Sequence, residues 1–435
     1  MFGTSGIRGI FNKDVTAELA LNVGMSLING KERTLFIGRD MRPSGIVLEN
    51  ALCAGVLSAG GDVVRLGIAP TPTTALASRS SLGAMITASH NPPEYNGIKL
   101  FEKGEEIPRE TERIIEKTVS NRAWKLGAPG SESYGTSAIR EHSEMVLGAI
   151  DTALIQKRKP KVIVDAGNGA ASVIMPYVLR EAGCTVVGVN CDVSGMISRP
   201  LEPNAKNLEQ TSEIIRSSNA DMAIAHDGDA DRAVILDEKG ELLGLDTQLV
   251  LMCNDILRAG KGPMATTVEA SLSIREAIEQ GGGKPIITSV GSLNIVQSIK
   301  EHKGIFGGEP CGEYIFPQNH LVPDGIMTGL KFVEIFCRIG SLRSAAEGIT
   351  KYPIMRAKYP CKDKTKAMEL ITESVKSFGG TQNTEDGVRV DFEDGWVLIR
   401  PSGTEPVMRI TCEHKNKEEL QALFSKAEKI VKSSG

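Results

Sequence analysis

The chain has 435 residues, 41% of them hydrophobic, with a formal net charge of −4. That length suits roughly two to four domains with sizeable cores. The mild acidity gives no general pull toward nucleic acid, and no stretch approaches the ~18 consecutive apolar residues of a membrane helix. Eight scattered cysteines without a Cys-x-x-Cys pair, and six scattered histidines, argue for reduced buried thiols and against a disulfide scaffold or a zinc site. The opening Met1-Phe2-Gly3-Thr4-Ser5-Gly6 lacks a signal-peptide layout, so the expected location is cytoplasmic. The sequence does not set the oligomeric state.

Short apolar strands alternate with helical stretches, an α/β pattern. Thr34–Asp40 predicts a strand entering a loop, then a helix near 45–59 and a strand over Asp62–Leu66. Leu82–Ile86 predicts a strand that delivers Thr87-Ala88-Ser89-His90-Asn91-Pro92-Pro93. Lys161–Gly169 repeats the strand-to-loop pattern, followed by a helix near 172–182 and a strand over Thr185–Val189. Ala220–Ala225 leads into Asp227-Gly228-Asp229-Ala230-Asp231-Arg232, and Lys303–Phe306 leads toward Gly308-Glu309-Pro310-Cys311-Gly312. Three such units predict three related α/β domains over 1–155, 156–252 and 253–355. Beyond 356 the pattern changes. A helix over 365–378, strands over Val388–Phe392, Trp396–Arg400 and Met408–Thr411, and a helix over Lys417–Lys432 predict a small α+β domain, 356–435. It carries the loop Arg400-Pro401-Ser402-Gly403-Thr404-Glu405-Pro406.

Asn91-Pro92-Pro93 forces a turn that presents Ser89 at a strand end. A serine is a poor nucleophile unaided; His90 and Lys99 are near enough in sequence to supply proton transfer or positive charge. A serine capping a turn is the plainer alternative. Asp227, Asp229 and Asp231 can aim three carboxylates at one ion if the loop curves, which favours a hard cation such as Mg²⁺ over Zn²⁺. With Glu238 they also match positions one, three, five and twelve of an EF-hand, but Arg232 stands where that loop needs glycine, and Ala233–Leu236 reads as a strand. A solvated acidic turn is the remaining alternative. Glu309 can accept sugar hydroxyls, and a plain surface turn rich in Gly and Pro is the alternative for its loop. Ser402, Gly403 and Thr404 can offer donors to a phosphate, with Arg400 and Arg409 adding charge; a hairpin with exposed arginines is the alternative.

These four loops in this order, with Gly3-Thr4-Ser5-Gly6-Ile7-Arg8-Gly9, resemble the α-D-phosphohexomutase superfamily over essentially the whole chain. The resemblance implies four domains in a heart shape, three related α/β domains with mixed sheets plus a C-terminal α+β domain. It implies that Ser89 is a phosphoserine and that Asp227, Asp229 and Asp231 bind one Mg²⁺ together with a phosphoserine oxygen. Arg8, His90 and Lys99 match positions around the transferring group, and Arg232 lies near the phosphoserine. Glu309 matches the sugar-hydroxyl contact, and Arg400, Ser402, Gly403, Thr404 and Arg409 match the site for the non-reacting phosphate. The implied reaction interconverts a sugar 6-phosphate and its 1-phosphate through a bisphosphorylated intermediate, with a sugar bisphosphate as activator. The partner is a small sugar phosphate, not a nucleic acid or a membrane. Cys311 stands where the family commonly has serine, which weakens one hydroxyl contact. The Gly-Glu-Pro-Cys-Gly loop and the N-terminal motif look most like archaeal members, many assigned to glucosamine phosphate and others to glucose, mannose or pentose phosphates. A Mg²⁺-dependent sugar phosphatase and an inactive sugar-phosphate sensor are the readings from other classes.

Overall fold

In the first sheet the alternation of buried and half-buried positions along Thr34–Arg39 fits a strand covered on both faces, as in open α/β sheets. The structure is a computed structural model describing residues 1–3, 5–28, 32–402 and 406–434. Its first sheet contains β1 (Ile7–Ile10), β2 (Thr34–Arg39), β3 (Asp62–Ile68), β4 (Leu82–Ile86), β5 (Tyr95–Glu102), β6 (Glu105–Glu106) and β7 (Glu132–Tyr134). The order is β1-β5-β4-β2-β3-β7, with β6 on β5. β2 runs parallel to β3 and β4, whereas β5 is antiparallel to β4. The sheet is therefore mixed.

The second sheet holds β8 (Lys161–Asp165), β9 (Thr185–Val189), β10 (Met222–His226) and β11 (Ala233–Leu236), ordered β11-β10-β8-β9. β8 is parallel to β9 and β10, and β11 closes the edge antiparallel. In both sheets a functional loop leaves the C-terminal end of a parallel strand, β4 for Ser89 and β10 for Asp227, which is where α/β sheets place ligand sites.

β12 (Pro263–Thr267) pairs in parallel with β13 (Lys284–Thr288) and β14 (Phe306–Gly308), and the short β15 (Tyr314–Ile315) follows. The last sheet is antiparallel throughout, β16 (Ile354–Pro360), β17 (Thr381–Asn383), β18 (Val388–Asp391), β19 (Gly395–Pro401) and β20 (Val407–His414) in the order β16-β20-β19-β18-β17. The helix Lys417–Ser434 packs on it through Leu420, Phe424, Ala427 and Val431.

By contact density the chain forms two units, residues 1–248 with 311–346, and 249–310 with 347–435. One sequence expectation shifts. The strand expected over Lys303–Phe306 starts at Phe306, because Lys303 adopts φ 54° and closes the helix Ser292–His302. The cut expected at 155/156 falls in the helix Thr152–Arg158, where the Lys-Arg run is a basic last turn complementing the helix dipole. The cuts at 252/253 and 355/356 fall in the helix Leu245–Ala259 and in β16. Pro360 is tolerated in β16 because it ends an edge strand. Among the described residues no helix is long and apolar enough to cross a membrane. None of the eight cysteines is in a disulfide.

Candidate functional site

Ser89 is buried at the end of the β4 loop, with φ 50°, a left-handed conformation costly for a residue with a side chain. Its Oγ donates to Asp227 Oδ2 at 2.7 Å and lies 3.2 Å from His90 Nδ1. Asp227, Asp229 and Asp231 are all buried, with a carboxylate oxygen from each lying within 4.8 Å of the others. Gly228 lets the two loops meet: a Cβ there would stand 2.6 Å from Ser89 O. The EF-hand alternative falls away. Arg232 leads directly into β11, and Glu238 accepts a hydrogen bond from the Ser341 hydroxyl.

Lys99 reaches from β5 into the carboxylates, with Nζ at 2.8 Å from Asp229 Oδ2 and 2.5 Å from Asp231 Oδ2. Burial opposes its charge, but the two carboxylates outweigh this and hold its pKa above the usual lysine value. Burial also opposes ionisation of Asp229, yet Lys99 and the Thr71 hydroxyl, 2.5 Å away, keep that carboxyl below the usual range. Asp227 is pushed well up by burial and then by repulsion from Asp231 and Asp229; Asp231 rises for burial and Asp229. One ammonium thus bridges two of the three carboxylates. Asp229 Oδ1 and Asp231 Oδ1 are buried without a hydrogen-bond partner. Orphaned, hard, anionic oxygens at this spacing fit a hard divalent cation.

His90 is pushed down to about 3 by burial and by the charges of Arg232 and Arg8, so its imidazole is neutral at neutral pH. Arg8 donates to Asn91 Oδ1 at 3.1 Å. Arg232 is held by Glu313 at 2.7 Å and approaches Glu202 at 3.9 Å. The half-buried Cys311 lies near Arg232.

The other predicted residues lie in the second unit. Glu309 is buried and accepts the Gly291 N–H at 3.3 Å. Arg400 and Arg409 face each other across β19 and β20. Arg400 pairs with Glu269 at 2.8 Å and Asp386 at 3.3 Å, and Arg409 donates to Ser402 Oγ at 3.2 Å. Arg400, Ser402, Lys364 and Asp386 line a cavity of about 930 Å³. Gly403 and Thr404 lie outside the described residues.

The sequence reading missed Asp40, Arg42, Thr71, Thr87 and Glu313. The run Asp40-Met41-Arg42 at the end of β2 carried a signal, an acid and a base closing a strand beside the serine strand. Thr71 carried none, since it meets Asp229 across 158 residues.

The architecture and the order of loops define a phosphohexomutase. Four successive domains, described as phosphoglucomutase/phosphomannomutase α/β/α domains I, II and III and the C-terminal domain, match residues 1–125, 140–240, 245–352 and 355–430. The chain belongs to the phosphoglucomutase/phosphomannomutase family within the α-D-phosphohexomutase superfamily, whose members are isomerases. It is 42% identical to a probable phosphoglucosamine mutase of Thermococcus kodakarensis, over all of this chain and 98% of that one. A phosphoglucomutase/phosphomannomutase of the same organism is 40% identical, over all of this chain and 99% of its own length. A solved family member from Burkholderia thailandensis superposes with TM-score 0.90 at 25% identity, covering 100% of this chain and 97% of that one. An N-acetylphosphoglucosamine mutase of Aspergillus fumigatus, solved with GlcNAc-6P and magnesium, shares the fold at TM-score 0.64 and 18% identity, covering 100% of this chain and 96% of that one.

Proposed function

We propose that the chain is a phosphoglucosamine mutase, interconverting glucosamine 6-phosphate and glucosamine 1-phosphate through phospho-Ser89 and a bisphosphorylated sugar. The observation that carries this reading is the Ser89 hydroxyl 2.7 Å from a buried carboxylate whose two neighbours hold orphaned oxygens. Asp227, Asp229 and Asp231, with a phosphoserine oxygen, would hold one Mg²⁺, which neutralises charge on the transferring group.

In the first half-reaction the P–Oγ bond of phospho-Ser89 breaks as a bond forms from phosphorus to a sugar hydroxyl oxygen. The hydroxyl's proton ends on Ser89 Oγ. In the second, the phosphoryl group at the sugar's other end passes to Ser89 Oγ, and the serine proton ends on the freed sugar oxygen. His90, with Nδ1 3.2 Å from Oγ, is assigned as the proton carrier on that geometry. Lys99, Arg8 and Arg232 keep the surroundings cationic enough for a phosphate. Glu309 and Cys311 are assigned to sugar hydroxyls, and Arg400, Ser402, Gly403, Thr404 and Arg409 to the non-reacting phosphate. A sugar bisphosphate is the activator in this scheme. Four domains with boundaries near 155, 252 and 355 agree with the succession of sheets. Disulfide-free cysteines suit the cytoplasm.

The choice of amino sugar rests on the names of the archaeal relatives, and the Thermococcus relative named for glucose and mannose phosphates supplies the competing substrates. Competition kinetics with Mg²⁺ decides between them. A higher kcat/KM for glucosamine 6-phosphate than for glucose 6-phosphate or mannose 6-phosphate is expected, and a preference for either hexose overturns the assignment. Stoichiometric phosphate release would instead reveal a phosphatase.

A further inference from the structure

Both polar backbone groups of Ser89 end on one buried network. The Arg42 guanidinium has five N–H donors. Its Nε donates to Asp40 Oδ2 at 3.0 Å, one terminal nitrogen to Pro92 O and Tyr95 O at 2.6 and 2.9 Å, and the other to Ser89 O and Asn91 O at 2.9 and 2.7 Å. Asp40 Oδ2 also accepts the Thr87 hydroxyl at 2.7 Å, and Thr87 Oγ1 in turn accepts the Ser89 N–H at 2.8 Å. Arg42 and Asp40 are each 1% exposed. The whole serine loop is thus tied to the end of the adjacent strand, β2.

The second sheet repeats the device. Arg199 Nε sits 3.0 Å from both oxygens of Asp165, which ends β8, and another Arg199 nitrogen donates to His226 O at 2.9 Å. His226 immediately precedes Asp227, and its Nδ1 donates to Arg232 O at 2.9 Å, closing the base of the carboxylate loop.

We propose that Asp40, Arg42 and Thr87 are positioning residues for the Ser89 oxygen, and that Asp165 and Arg199 position the carboxylate loop. The work of the site then divides. The first clamp sets the rate of phosphoryl transfer, and the second sets cation affinity. A buried side chain that merely stabilised the fold would move both together. The inference rests on the reading of Ser89 as the phosphoryl carrier.

The test uses Arg42→Lys and Arg199→Lys in the full chain, with Thr87→Val and Thr87→Ser as a milder pair. Three quantities are measured: phosphorylation of Ser89 by a glucose bisphosphate, followed by intact mass; KM for the sugar phosphate; and Mg²⁺ binding by titration calorimetry. Arg42→Lys is expected to slow transfer by about 100-fold, the scale of a small misplacement of a reacting atom, with KM and Mg²⁺ binding unchanged. Thr87→Val shows the same split at smaller size, and Thr87→Ser restores the rate because it restores the hydroxyl. Arg199→Lys is expected to weaken Mg²⁺ binding by about tenfold, as for an outer-shell partner of a metal site, with the transfer rate recovered at saturating Mg²⁺. Unchanged transfer in both Arg42→Lys and Thr87→Val, or a parallel loss of rate and cation affinity in either arginine variant, overturns the division. Absence of Ser89 phosphorylation in the wild type overturns the functional reading itself.

Discussion

The serine loop and the aspartate loop are built on one plan with different stakes. Each leaves a parallel strand, each is held by an arginine locked to an acid at the end of the neighbouring strand, and each contains a residue with positive φ, Ser89 at 50° and Ala230 at 57°. The serine clamp grips three carbonyls of its loop and that of Tyr95 at the start of β5, whereas the aspartate clamp grips one, that of His226. The difference follows from what else each loop can lean on. The aspartate loop is braced from outside by Lys99, by Thr71 and by the Gly325 N–H, which donates to Ala230 O at 3.1 Å. The serine loop must leave the Ser89 side chain ready to bind and release a phosphoryl group, so Ser89 itself is ordered through its backbone N–H and carbonyl, held by Thr87 and Arg42. A nucleophile is fixed by its carbonyls, and a metal site by its carboxylates.

The sharpest break of this comparison is Ser89→Ala. It removes the acceptor oxygen and leaves the carboxylates in place. Turnover should fall by roughly 10⁴-fold or more, the scale of losing a covalent nucleophile, while Mg²⁺ binding by calorimetry persists through the three carboxylates, weakened by the loss of the serine oxygen. Retained turnover would end the covalent mechanism, and lost Mg²⁺ binding would show that the two loops do not act separately.

Asp324 tests the frame behind the aspartate loop. It caps the helix Gly325–Ile339 through Oδ1, while Oδ2 lies 3.0 Å from His142 Nε2 and 2.9 Å from His320 Nε2. All three side chains are buried or nearly so. Burial would raise this carboxyl, but the two histidines outweigh burial and hold it below the usual range. A depressed pKa means stability that is complete above the unfolded value of about 3.9 and lost as the pH falls through the folded value. Asp324→Asn should cost about 3 kcal/mol at neutral pH by removing the buried carboxylate that both histidines and the helix N-terminus share. The Tm gap to the wild type should then stay constant down to about pH 5 and narrow in stronger acid. A gap independent of pH down to acid unfolding would show that Asp324 works as a neutral cap.

How much of this was legible in the sequence depends on range. The residues at the centre, Ser89 and the three aspartates, stood out because their chemistry is written in short runs. The alternation of strands and helices was equally local, and the four sheets follow it. Asp40, Arg42, Arg199 and Thr71 did not stand out, because each gains its meaning from a partner beyond the reach of any motif; Arg42 lies 47 residues from Ser89. Helix ends were harder to read. Lys157 and Arg158, beside the expected cut at 155/156, form the last turn of the helix Thr152–Arg158, where basic residues are favoured. The strand expected from Lys303 began late for a similar reason, a left-handed cap that hydrophobicity does not report.

Gly228 is where the two loops touch, so a side chain there should couple them. Gly228→Ala places a methyl group 2.6 Å from Ser89 O and 3.1 Å from Leu201 Cδ1. The backbone oxygen belongs to the clamped loop and cannot move cheaply, so about 1–3 kcal/mol of overpacking is expected. Unlike the clamp variants, this one should lower the transfer rate and the Mg²⁺ affinity together. A loss confined to one of them would locate the rigid partner of the contact.

Thr71→Val makes the smallest change and asks the narrowest question. The Thr71 hydroxyl donates to the same Asp229 oxygen that Lys99 holds, and the Thr71 N–H donates to Asp229 O at 2.9 Å. Valine keeps the shape and the backbone bond and removes one hydrogen bond. With Lys99 still in place, Asp229 stays ionised but gains freedom to turn. Mg²⁺ binding should weaken by about tenfold, Thr71→Ser should restore it, and transfer from phospho-Ser89 at saturating Mg²⁺ should match the wild type. If transfer stays slow at saturation, the orientation of Asp229 reaches the nucleophile through Lys99 or Asp227, and the two loops are set by one network rather than two.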